Sequence, residues 1–326
     1  AVGHADYDND GWQDIYIAND YGADKLLKNV KGAVVDVSRE AIGIDTRKGM
    51  NAEFGDVDNN GYLDIFVTNV TEKFLYECNM LWINNQDGTF TDLSRELNIC
   101  DAGWAWGGKF FDYDNDGDLD LYVANGFFSG KGDYLEVLLP SMWKTGEDPS
   151  EAKEWPPLMG MGMATKERNV LFKNVSGISF KKIEKSAVNI DKDSRGVFTA
   201  DFDNDGKLDL FVTNNEDKAV IFQNTTTNKN NWLILDLKAV PPNTNAIGAR
   251  ITLRARGKSY IREVNVGNGF AGNSSKRVHF GLGKAKTIDY VEILWPNGTK
   301  QRLDSLSINQ IYTIQQATPS TLSSRF

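Results

Sequence analysis

Four stretches of this chain place oxygen side chains at the same offsets. The first is Asp6, Asp8, Asp10 and Asp14, and the second is Asp56, Asp58, Asn60 and Asp64. The third is Asp112, Asp114, Asp116 and Asp120, and the fourth is Asp201, Asp203, Asp205 and Asp209. Each is a nine-residue loop with oxygens at positions one, three, five and nine, and with glycine at position six: Gly11, Gly61, Gly117 and Gly206. Carboxylates about 4 Å apart repel by roughly 1–4 kcal/mol per pair at surface-like dielectric, so such a loop curls only around a cation. A hard divalent ion that takes six to eight oxygens is the natural occupant, which points to Ca2+ at about four sites. Glycine supplies the sharp turn because it enters positive φ without a Cβ clash. Position seven is Trp12, Tyr62, Asp118 and Lys207, which share no side-chain chemistry; a backbone carbonyl ligand explains that variety.

An EF-hand loop begins in the same way but requires a bidentate Glu at position twelve and flanking helices. Here position twelve is Ile17, Val67, Val123 and Val212. These lie in short apolar β-formers, Ile15–Asn19, Ile65–Asn69, Leu121–Asn125 and Leu210–Asn214, so each loop feeds a strand. The repeat resembles the FG-GAP or VCBS repeat of integrin-α-type β-propellers. That resemblance implies calcium ligands at the carboxylates above, with Asn60 keeping an oxygen but losing a charge and so weakening the second site.

The elements that must position these loops come next. Repeat starts are spaced 50, 56 and 89 residues apart, which suits propeller blades of several short strands. A second echo follows each loop at Asn29, Asn84, Asn174 and Asn224, and Asp87-Gly88 is a hairpin turn. Each unit therefore reads as loop, strand, strand, turn, strand. Trp104 and Trp106 precede the third loop on a strand and are read as core between blades. The chain opens almost inside the first repeat, which reads as a processed or truncated boundary with further blades upstream.

The long third spacing holds an insertion, Gly126–Arg168, with Pro140, Pro149, Pro156, Pro157, Trp143, Trp155 and four of the six methionines. Its content implies packing, either on the propeller face or against another molecule. After Asn224 six alternating segments, Trp232–Lys238, Ala249–Arg256, Ser259–Val266, Arg277–Gly283, Ile288–Trp295 and Gln310–Gln315, read as a small β-sandwich or barrel. Gly248–Leu253, Arg262–Gly267, His279–Gly283, Val291–Gly298 and Asn309–Tyr312 resemble the ASPIC/UnbV domain, which follows FG-GAP repeats in the cartilage acidic protein-like family of secreted proteins. The expected fold is all-β: calcium-binding propeller blades over residues 1–225, an ASPIC/UnbV-like β domain over 226–316, and a polar tail over 317–326.

Charge divides the same way. Residues 226–326 hold 14 Lys and Arg against 5 Asp and Glu, while residues 1–225 hold 22 against 40. The basic residues are interspersed along alternating strands without an aromatic stacking stripe, which excludes a nucleic-acid groove. No run of 18 apolar residues spans a membrane. Cys78 and Cys100 fit no zinc, haem or thioredoxin spacing and are either two buried thiols or one disulfide. The only histidines, His4 and His279, sit in no catalytic or metal-ligand pattern, and no nucleophile elbow, phosphate loop or HExxH occurs.

The expected function is a secreted or cell-surface, calcium-stabilised adhesion or binding module that recognises a protein or glycan, and not an enzyme. The acidic–basic asymmetry raises head-to-tail self-association as an alternative, and a propeller-type polysaccharide lyase is a second.

Overall fold

The computed structural model describes residues 1–72, 74–146 and 155–317. Pro149 of the insertion and the tail from residue 318 onward lie outside the described residues. Strands up to Phe222 form four antiparallel sheets laid down in chain order. The first sheet holds β1 (Val2–Ala5), β2 (Asp14–Ile17), β3 (Lys25–Val30) and β4 (Ala33–Asp36), followed by one helical turn, α1 (Ser38–Ala41). The second holds β5 (Glu53–Gly55), β6 (Asp64–Val67), β7 (Met80–Asn84) and β8 (Phe90–Asp92). In the third, β9 (Ala105–Phe111) and β10 (Asp120–Asn125) are separated from β11 (Val170–Val175) and β12 (Ser179–Lys182) by the insertion with its helix α2 (Leu135–Thr145). The fourth has three strands, β13 (Ser194–Ala200), β14 (Asp209–Asn214) and β15 (Asp217–Phe222).

Burial follows from stacking these sheets face to face. Tyr16 and Leu26 of the first sheet pack on Phe54, Ile65 and Met80 of the second. Phe66 and Leu81 then meet Phe110, Leu121 and Phe172 of the third, and Tyr122 and Leu171 meet Val197, Leu210 and Val212 of the fourth. Strands β6 and β10 are therefore buried on both faces, which is why their sequences are almost continuously apolar rather than alternating. The leading strands β1, β5, β9 and β13 lie next to one another in that order and form an arc. The approach is close: a Cβ at Gly107 would sit 2.3 Å from the Arg195 carbonyl oxygen.

The C-terminal region is a sandwich of seven strands, β16 (Asn231–Lys238), β17 (Arg250–Ala255), β18 (Lys258–Glu263), β19 (Val278–Gly283), β20 (Tyr290–Leu294), β21 (Lys300–Leu303) and β22 (Gln310–Gln315). Its sheets run β19-β16-β22 and β18-β17-β20-β21, with β16 and β22 parallel. Leu233, Leu235, Phe280 and Leu282 face Ile251, Leu253, Val291, Ile293 and Trp295 across the core. The expectation of one strand over Ser259–Val266 is corrected: β18 stops at Glu263, because the chain turns there into the axis of the arc. Asn268 Oδ1 accepts from the His4 N–H at 2.8 Å, and the Gly269 N–H donates to the Ala52 carbonyl at 2.8 Å. The Ser275 N–H donates to the Thr199 carbonyl at 3.0 Å, and the Phe270 ring reaches Trp106 at 5.2 Å. Residues 264–277 thus run across the inner side of the leading strands and leave a cavity beside Glu53, Lys109 and Arg262.

The insertion docks on the arc at the entry end of β9, away from the loops. Leu138 and Met142 of α2, with Tyr134 and Met163, bury against Trp104, whose ring stacks on Phe127 at 4.2 Å. The reading of Trp104 and Trp106 as core between blades is corrected: Trp104 is buried under the insertion, and Trp106 is half-buried against Phe127, Phe270 and the Arg195 guanidinium. Trp143 stays 91% exposed on the outer face of α2. Among the described residues no helix is long and apolar enough to cross a membrane.

Cys78 and Cys100 are joined as a disulfide that closes a 22-residue separation around β7 and β8. Loop-closure entropy puts its contribution at about 3 kcal/mol. Cys78→Ser/Cys100→Ser should lower the denaturant midpoint accordingly, and reductant should do the same to the native chain. A midpoint unchanged in both would remove the crosslink from the stability account.

Candidate metal centre

Each acidic loop joins the leading strand of a sheet to its second strand. Position one directly follows β1, β5, β9 or β13, and position nine opens β2, β6, β10 or β14. The backbone curls identically in all four. Position-six glycines have φ of 89°, 93°, 100° and 85°, and the position-four residues Asn9, Asn59, Asn115 and Asn204 have φ of 66°, 57°, 59° and 59°. Asparagine tolerates this left-handed region better than most side chains.

Within each loop the carboxylates are held by backbone N–H groups. Gly11, Gly61, Gly117 and Gly206 donate to Oδ2 of Asp6, Asp56, Asp112 and Asp201 at 2.8–3.2 Å. Trp12, Tyr62, Asp118 and Lys207 donate to Oδ1 of Asp10, Asn60, Asp116 and Asp205 at 2.8–3.0 Å. The backbone N–H is thus the group that position seven contributes in all four loops; the Asp118 carboxylate points to Asn59, whose Nδ2 donates to it at 2.9 Å.

Four groups of carboxylate oxygens lie within 4.8 Å of one another: Asp6, Asp8 and Asp10; Asp56, Asp58 and Asp64; Asp112, Asp114 and Asp120; Asp201, Asp203 and Asp209. Asp14, Asp116 and Asp205 stand outside these groups. Burial pushes Asp14, Asp56 and Asp112 up to about 7 and holds Asp64 and Asp120 well above the usual carboxylate range. Like-charged neighbours in the same loops push the same way. Lysines answer part of this charge: Lys28 pairs with Asp8, Lys173 with Asp114 and Asp116, and Lys207 with Asp205. Asp56 Oδ1 and Asp114 Oδ1 are buried without any hydrogen-bond partner. Unpartnered carboxylate oxygens inside an oxygen-only donor set fit a hard cation.

Two sets of supporting residues were only partly legible. The recurring Asn29, Asn84, Asn174 and Asn224 donate their N–H to position nine at 2.7–2.9 Å. The side-chain amides of Asn84, Asn174 and Asn224 also bond Tyr7, Val57 and Tyr113 in the preceding loop at 2.7–2.9 Å. Their echo was visible, but their cross-sheet role was not. The second set comes from the sandwich. Arg250 donates from Nη1 to the Asp6 carbonyl at 3.1 Å and from Nη2 to the Gly61 carbonyl at 2.8 Å, and it pairs with Glu263. Arg262 Nη2 reaches the Gly117 carbonyl at 3.4 Å, and His279 Nε2 lies 3.2 Å from the Gly206 carbonyl. Gly281 has no room for a side chain, since a Cβ would lie 1.8 Å from Asp112 Oδ2. The basic module therefore sits directly on the acidic loop face.

The ASPIC and UnbV family matches residues 239–321, and the FG-GAP-like repeat matches residues 6–67 and 76–123. The chain is thus one of FG-GAP-like repeats followed by an ASPIC and UnbV module; the fourth loop lies beyond the matched repeat segments but shares their geometry. Over 91% of its length it is 26% identical to cartilage acidic protein 1 of Homo sapiens, covering 50% of that protein, and equally similar to that of Mus musculus, covering 51%. With the Xenopus tropicalis protein the identity is 24% over 84% of this chain and 46% of the relative. The chain spans about half the length of the curated relatives it matches. Among solved structures, the Vibrio cholerae biofilm matrix protein Bap1 aligns over 93% of this chain and 58% of its own, with 13% identity and a TM-score of 0.33.

Proposed function

We propose that the chain is a secreted, calcium-stabilised binding module built from propeller blades over residues 1–225 and a basic β module over 226–316. The observation that carries this reading is the fourfold repetition of one hydrogen-bonded carboxylate cradle on one face. Residues at positions one, three, five and nine, with the position-seven carbonyl, would hold each Ca2+, whose charge offsets the buried carboxylates. Sites of this kind fill at the millimolar calcium found outside cells, where a Cys78–Cys100 disulfide also persists. The similarity to cartilage acidic protein 1 agrees with an extracellular setting.

Residues 264–277 cover part of the inner side of the arc, which favours an outer surface as the contact face for a protein or glycan partner. Head-to-tail association through the acidic and basic regions is the alternative reading, and light scattering across salt and calcium concentrations tests it.

Calorimetric calcium titration tests the metal assignment, and protein and glycan arrays with and without chelator test the partner. Four binding events are expected. Asp112→Ala should remove one of them, and Asn60→Asp should tighten the second loop by restoring a charge. Weaker binding by Asn60→Asp would show that position five is not a ligand there.

A further inference from the structure

The four loops are not separate cradles. Asn9 of the first loop donates from Nδ2 to the Gly61 carbonyl of the second at 3.1 Å. Asn115 of the third does the same to the Gly206 carbonyl of the fourth at 3.1 Å. Between the second and third, Asn59 Nδ2 bonds Asp118 Oδ1 at 2.9 Å. The side-chain oxygens of Asn59 and Asn115 are buried without a hydrogen-bond partner, so among the described contacts the forward link alone orients each amide.

The accepting carbonyls belong to particular peptide units. The Gly61 carbonyl shares its peptide with the Tyr62 N–H that holds Asn60 Oδ1, and the Gly206 carbonyl shares one with the Lys207 N–H that holds Asp205 Oδ1. Asn9 and Asn115 therefore each sit between two proposed ligands of their own loop while bonding the peptide that aims a ligand of the next, whereas Asn59 bonds the position-seven side chain of the third loop. Asn204 has no following loop; Arg277 Nη1 of the sandwich bonds its Oδ1 at 2.7 Å.

From this we infer that the loops fill cooperatively, with Asn9, Asn59 and Asn115 as positioning residues that relay order from one site to the next. Ordering one loop immobilises the amide that its neighbour needs, so the neighbour loses less conformational freedom when it binds. The inference rests on the calcium reading above. A coupling of ordinary size raises the neighbour's affinity about fivefold or more.

The test is calcium titration of the full chain, followed by calorimetry and by the metal-dependent melting temperature. Glycine is the replacement of choice because it keeps positive φ while deleting the amide. Wild type should give four sites with a Hill slope above one. Asn9→Gly/Asn59→Gly/Asn115→Gly should keep four sites and lower the slope to one, whereas Asn204→Gly should leave the slope as in wild type. Four independent sites in wild type would overturn the relay and leave the calcium assignment standing. A triple variant as steep as wild type, or one in which Asn204→Gly lowers the slope equally, would also overturn it. Should the triple variant melt below the assay temperature, Asn115→Gly alone should still uncouple the fourth site. No calcium bound by wild type would remove both readings.

Discussion

Adding a chelator to the folded protein at neutral pH should lower its melting temperature by about 3–9 °C. Sites with Kd of ~10⁻⁴–10⁻³ M in ~1 mM calcium contribute about 0.4–1.4 kcal/mol each, or roughly 2–6 kcal/mol for four. A chain of this length shifts by ~1.5 °C per kcal/mol. The pH dependence should reverse between the two states. Asp14, Asp56 and Asp112, raised to about 7 by burial, keep protons in the chelated fold that the unfolded chain releases near the ordinary carboxylate value. Their stabilising contribution is fully present below that unfolded value and is lost as pH rises through about 7. His279, lowered to about 4 by burial, works in the opposite sense and costs stability only as pH falls below its unfolded value of 6.5. The chelated protein should therefore become more stable from about pH 8 down to about pH 6.5. Over the same window the calcium increment should shrink, because protons compete for the same oxygens. Scanning calorimetry in both conditions decides it, and a melting temperature indifferent to chelator near pH 8 would sink the assignment.

Replacing Arg250 with Met should cost about 3–5 kcal/mol, or ~5–8 °C, with or without calcium. Its guanidinium is buried, bonds carbonyls of two successive loops, and lies 3.1 Å from Glu263, whose side chain is only 3% exposed. Burial already pushes Glu263 up to about 7 against the pull of Arg250, so removing the cation strands a buried carboxyl. Adding Glu263→Gln to the variant should return part of the loss, since a neutral amide needs no counter-charge. Equal melting of Arg250→Met and wild type would show that the sandwich is not seated through this residue.

What the sequence disclosed was local. The four loops and the strands after them follow from Asp, Asn and Gly at fixed offsets and from short β-branched runs, and the core strands of the sandwich follow from alternation. The leading strands β1 and β5 escaped because they are short and carry glycine, so alternation has nothing to register. The edge strand β21, Lys300-Gln-Arg-Leu303, escaped because it is polar, as exposed edges are. The insertion's Trp and Met content signalled packing, which holds for Met142, Met161, Met163 and Trp155 but not for Trp143 and Met159, which stay exposed. Least legible was the seat of the sandwich. Arg250, Arg262 and His279 meet carbonyls between 73 and 244 residues away, and nothing near them in sequence marks those partners. The charge asymmetry was visible; that the basic module seats on the loop face through backbone carbonyls was not.

The segment in the axis also imposes an order of assembly. Asn268 bonds a strand residue made 264 positions earlier, so the inner side of the arc cannot be completed until the chain has been made past that residue. At synthesis rates of roughly 5–20 residues per second, the first sheet waits on the order of tens of seconds for the residues that will occupy its inner edge. Until then water must satisfy the backbone groups of His4, Ala52 and Thr199 that later bond residues 268–275. Maturation therefore ends with the displacement of that water, a late, non-local step set by chain topology rather than by the repeats themselves.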